Sequence, residues 1–146
     1  MRAIDFFICA VLLSPLACHA SEDCSSDKLN REQELSCAHN EELQKAVLAE
    51  RLYGSIRHGL SGPQQSLLEK NHLAWVNKRE TDCALQRDAF NDWGKDSVPD
   101  ADFQYQGCKN SVLDQQVLFY EGLICPDSLE TGDKPDCENL QKVLRR

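Results

Sequence analysis

The chain is predicted to be all-α: a long antiparallel helical hairpin plus a third helix, stapled by disulfides and followed by a short C-terminal extension. Three observations predict this. No stretch alternates apolar and polar residues with the period of two that a strand needs. Two long segments with helical periodicity flank a short break at Gly59, Gly62 and Pro63. Eight cysteines in a chain of 146 residues far exceed ordinary usage, which points to an oxidising compartment.

Residues 1–20 have the pattern of a secretory signal. Arg2 is followed by an apolar run from Phe6 to Leu13, a Ser14-Pro15 break and a small residue, Ala20, before the expected cut. The run is shorter than the ~20 apolar residues that span a bilayer, and nothing after Leu16 resembles a membrane span. An alternative is a lipoprotein acylated at Cys18 after Leu16-Ala17, although Pro15 stands where such a signal normally has Leu. Either route leaves Cys24, Cys37, Cys83, Cys108, Cys125 and Cys137, an even number suited to structural disulfides.

The first helix is expected to start near Asn30, where Asn30 and Gln33 have capping-box spacing, and to run for about 28 residues. Its apolar positions Ala38, Ala49, Leu52, Tyr53, Ile56 and Leu60 fall close to a 3.6-residue stripe. Pro63 suits the first turn of a second helix from Pro63 to Phe90, with Leu68, His72, Trp75, Arg79 and Cys83 on one face. Residues from Asn91 to Gly107 break the pattern and are expected to be a loop. A third helix is expected from Gly107 to Leu123, striped by Cys108, Val112, Gln115, Phe119 and Leu123. The stretch Pro126–Pro135 is turn-rich, and Glu138–Arg146 could form a terminal helix whose basic end complements its dipole. The domain organisation is thus a signal at 1–20, a helical domain at 21–125 and an extension at 126–146.

Cys125 and Cys137 bracket the turn-rich stretch outside the three-helix unit, so they are expected to pair. For the other four cysteines two schemes remain open. In one, the hairpin brings Cys37 to Cys83 and leaves Cys24 for Cys108. In the other, sequential scheme, Cys24 pairs with Cys37 and Cys83 with Cys108, which requires the segment before Asn30 to fold back along the first helix. A zinc site lacks support, with no CxxC pair and no His at ligand spacing.

The acidic residues outnumber the basic ones by 24 to 16, a net charge of -8. Binding to nucleic acid is disfavoured, because counterion release needs a surplus of Lys and Arg. The sequence carries no phosphate loop, no metal motif and no recognisable nucleophile spacing around His39, His58 or His72, so neither an enzyme nor a cofactor is expected.

The segments Ser36-Cys37-Ala38, Glu42-Leu43, Tyr53, Ala74-Trp75-Val76, Arg79-Glu80-Thr81-Asp82-Cys83 and Gly107-Cys108 together resemble the lysozyme inhibitor LprI-like family of bacterial exported proteins. The resemblance covers roughly Cys24 to Leu123. Departures include Glu80 where Asp is usual, Ala49-Glu50 in place of Leu-Asn, and Gln116 in place of a customary Arg. It implies a periplasmic or secreted protein that binds and inhibits a lysozyme or related muramidase, and the net charge of -8 would steer it toward a basic partner of that kind. Trp75 and Arg79 are expected to be structural, with Trp75 in the helical seam and Arg79 paired to a carboxylate or to helix-end carbonyls; the family pattern places Tyr53 at the end of the first helix. The candidate partner-binding residues are Asp92, Trp93, Asp96, Asp100, Asp102, Phe103 and Tyr105, whose aromatics could anchor in a cleft and whose carboxylates could meet basic or catalytic groups; the alternative for the same segment is a solvated connector whose aromatics pack back on the hairpin. A second function fits the same residues: a disulfide-stabilised helical envelope module that binds another protein without inhibiting lysozyme.

Overall fold

A computed structural model describes residues 24–26, 28–96, 98–126 and 137–145. The expected signal at 1–20, with Cys18, and most of the turn-rich stretch 126–135 lie outside the described residues. The protein is an all-α, disulfide-stabilised helical bundle, with four helices among the described residues, α1 (Arg31–His58), α2 (Gly62–Phe90), α3 (Ala101–Ile124) and α4 (Glu138–Leu144). A single 3-10 turn, Asp92–Gly94, follows α2, and no strand occurs among the described residues.

The start of α1 is fixed locally. The Asn30 side chain accepts from the Gln33 backbone N–H at 3.0 Å, and the Gln33 side chain accepts from the Asn30 N–H at 3.0 Å. Two orphan donors are thereby satisfied. Glu32 and Glu34 in the first turn and Arg57 and His58 in the last complement the helix dipole. Gly59 caps the helix, and Gly62 takes a φ of 58°, a left-handed conformation that costs glycine nothing. Pro63 then opens α2 within its first turn.

The two arms of the hairpin run antiparallel, but α3 is the main partner of each, packing along α1 on one side and α2 on the other. This placement has two consequences for the sequence expectations. First, Cys37 does not face Cys83 across the hairpin. The disulfides are Cys24–Cys37, Cys83–Cys108 and Cys125–Cys137, with Cα separations of 5.7, 5.5 and 5.3 Å, so the sequential scheme is the one adopted. Second, the buried face of α3 comprises Gln106, Asn110, Val112, Leu113, Gln116 and Tyr120, while Gln115, Phe119 and Leu123 of the expected stripe are exposed. A helix wedged between two others buries more than one stripe, and polar residues enter where partners await them. The helix also begins at Ala101, six residues before the expected Gly107, so much of the expected loop is helical.

The bundle has an apolar end and a polar end. Near the hairpin turn, Leu52, Leu68, Tyr120 and Val143 form the buried core, with Leu48, Ile56, Leu60, Trp75, Val117 and Leu140 packed against it. Val143 and Leu140 come from α4, which closes this end and is held to the end of α3 by Cys125–Cys137. Tyr53 stacks on His72 with ring centroids 4.1 Å apart, and Trp75 meets Phe119 at 6.1 Å. Tyr120 is fully buried; its oxygen accepts from Gln116 and lies 3.4 Å from His72 Nδ1, while His72 Nε2 faces Glu50 at 3.3 Å. Burial pushes the Tyr120 phenol above its ordinary pKa.

Candidate functional site

The polar end joins three helices through charge. Glu42 on α1 has a side chain only 9% exposed and meets Lys109 of α3 at 2.9 Å. Gln106 donates to the other Glu42 oxygen at 2.7 Å, and His39 Nδ1 lies 3.2 Å from it. Burial would raise the Glu42 carboxyl, but the bonds from Gln106 and Lys109, the Lys109 charge and His39 outweigh it and hold the carboxyl below its ordinary pKa. Lys109 is shifted the other way: burial opposes its charge, yet the Glu42 carboxylate, with Glu80 beyond it, raises its pKa. Asn110 and Gln106 both donate to the Ala38 carbonyl, so the polar side chains on α3 find backbone as well as side-chain partners.

On the α2 side the network reaches Glu80. Its carboxylate accepts from Tyr105 at 3.3 Å and from Arg79 at 3.3 Å and lies 3.9 Å from Lys109. Arg79, half-buried, thus pairs with its chain neighbour. The Tyr105 ring is covered by cations, with Arg87 at 5.0 Å and Lys109 at 4.9 Å from its centroid.

The seven candidate partner-binding residues divide accordingly. Tyr105 packs back onto the bundle. Phe103 lies under the Arg31 guanidinium at 4.7 Å, and Asp100 pairs with Arg31 at 2.6 Å. These three fasten the start of α3 to its neighbours. Asp102, exposed on the first turn of α3, borders a cleft shared with Glu32, Leu35, Ser36 and His39 of α1.

Asp92, Trp93 and Asp96 stand apart from that scaffold. Asp92 and Trp93 adopt φ values of 44° and 55°, followed by Gly94 at 83°, a run of three left-handed residues. For Gly94 this is free; for Trp93 the Cβ meets the following carbonyl at a cost of roughly 1–2 kcal/mol. Asn91 holds the knuckle in place. Its carbonyl accepts from Gly94 and Asp96, and its side chain accepts from the Val98 N–H at 2.9 Å. The indole is left 67% exposed, beside Asp92, which pairs with Lys95 at 3.1 Å. The positive φ at two non-glycine residues has no signature in the sequence beyond the Trp-Gly pair, and the sequence reading of this segment as a loop therefore missed the feature that presents the ring.

Among the described residues no group of three or more His, Cys, Asp or Glu side chains is arranged to hold a metal ion, and no helix is long and apolar enough to cross a membrane. In comparisons with protein-family models, with curated proteins and with solved structures, nothing matches the chain.

Proposed function

We propose that this is an exported protein, directed by residues 1–20 to the periplasm or beyond, that binds and inhibits a lysozyme-type peptidoglycan hydrolase through the Asp92–Asp96 knuckle. Three disulfides support an extracytoplasmic setting. The choice of target rests on the resemblance carried by Ser36-Cys37-Ala38, Trp75, Arg79, Cys83 and Gly107-Cys108, together with the net charge of -8. Lysozymes are commonly basic, and an acidic inhibitor is steered toward them.

The observation that carries the proposal is the strained, exposed Trp93. A large ring held out of the core on a left-handed backbone, with Asp92 and Asp96 beside it, is suited to enter a cleft lined by basic groups. The test is the clearing of cell-wall suspensions by several lysozymes, with and without the oxidised protein. Inhibition at a stoichiometric ratio is expected, weakened at least about 30-fold in Trp93→Ala, as for a hot-spot residue.

A second reading, a helical envelope module without effect on lysozyme, is favoured by Leu67, Leu73 and Leu118, each about two-thirds exposed. Full lysozyme activity in the presence of the protein, together with loss of an envelope partner on changing these leucines to Ser, would decide for it.

A further inference from the structure

At the apolar end of the bundle, on the far side from the knuckle, a cavity of about 440 Å³ lies between the last turns of α1 and α4, lined by Arg51, Gly54, Ser55, His58 and Val143. Its composition is at odds with the rest of the molecule. The chain has eight more acidic than basic residues, yet none of the described lining residues is acidic. Arg51, Ser55 and His58 follow one another at four- and three-residue spacing, so they share one face of α1. Gly54 lies alongside, and a Cβ there would meet nothing within 4 Å, which leaves the floor of the cavity open.

Arg51 is half-buried and has no hydrogen bond or ion pair among the described residues. The other arginines of α1 and α2 are engaged: Arg31 with Asp100, Arg57 with Glu69, Arg79 with Glu80 and Arg87 with Asp88. Glu50, the neighbouring carboxylate on α1, faces His72 instead. A half-buried arginine left without a carboxylate in an acidic protein is a charge open to an external anion.

We propose that this cavity is an oxyanion site, taking the carboxylate or phosphate of a small ligand, with Arg51 supplying the forked charge and Ser55 and His58 the further donors. The C-terminal dipole of α1 opposes an anion here, so affinity depends on the side chains and is modest, with a Kd on the order of 1 mM.

The test is titration of the full oxidised chain at low salt with inorganic phosphate, with N-acetylglycine and with the neutral N-acetylglycinamide, followed by amide chemical shifts. Saturable shifts centred on Gly54, Ser55, His58 and Val143 are expected with at least one of the two anions, the tighter binder identifying the group, and none with the amide. Arg51→Gln should weaken binding at least about tenfold, as loss of a charged hydrogen-bond donor does. Arg57→Gln should leave it unchanged. Gly54→Leu gives a variant that keeps the fold, since leucine is the better helix former, and should abolish binding by filling the floor. Absence of saturation with both anions up to about 20 mM, equal shifts with the neutral amide, or wild-type affinity in Arg51→Gln or Gly54→Leu would overturn the proposal.

Discussion

At Trp93 stability and recognition pull in opposite directions. The ring is two-thirds exposed, so little burial is lost on removing it, while its left-handed backbone is a standing cost. Trp93→Gly is therefore expected to raise unfolding stability by about 0.5–1 kcal/mol in urea titrations while removing hydrolase binding. A fall in stability of similar size would mean that the ring packs on the bundle in solution. Phe103→Ala should behave in the reverse manner, losing stability because Phe103 is the platform for Arg31. The sequence singled out all seven residues by type, but types alone did not separate Trp93 from Phe103 and Tyr105. What separates them is the early start of α3, which draws Phe103 and Tyr105 onto a helix and leaves Trp93 in the turn.

Helices announced by local chemistry were legible, and those defined by tertiary placement were less so. The capping box at Asn30 and the Gly-Pro break after His58 gave α1 and the start of α2 to within a residue. The buried face of α3 was not legible, because Gln106, Asn110 and Gln116 look like solvent-facing residues until Glu42, the Ala38 carbonyl and Tyr120 are placed opposite them. The joint between α1 and α3 has a pH signature. Glu42 is held below its ordinary pKa of 4.5, so its contribution is complete above that pH and is lost as the pH falls through the lowered folded value. Lys109 is raised above 10.5, so its contribution holds below that pH and is lost only as the pH rises through the raised value. Glu42→Gln should cost about 2–3 kcal/mol at neutral pH, below a fully buried pair because Lys109 can turn to Glu80, and the gap to the native protein should narrow as the pH drops from 4.5. A gap independent of pH would show that the carboxylate charge is not what joins the helices. Between α2 and α3, replacing Cys83 and Cys108 together with Ser should cost about 3–4 kcal/mol, the chain-entropy value for a loop of 25 residues, measurable as a lower urea midpoint.

On the scale of the whole molecule, the polarity of the bundle separates its two proposed activities. The polar end carries the knuckle and many of the acidic side chains, and the apolar end, closed by α4, carries the basic cavity. A positively charged partner is thus attracted by the net charge of -8 and retained by contacts at one end. These two contributions respond differently to salt. Long-range attraction acts on the association rate and is screened once the Debye length falls from about 10 Å near 0.1 M toward 3 Å near 1 M, whereas an aromatic anchor buried in a cleft acts on dissociation. Stopped-flow mixing with a basic lysozyme should therefore show association slowing by at least about tenfold between roughly 0.02 and 0.5 M NaCl, with dissociation nearly constant. Trp93→Ala should speed dissociation while keeping the salt dependence of association. An association rate indifferent to salt would remove charge as the basis of partner choice, even if inhibition itself were observed.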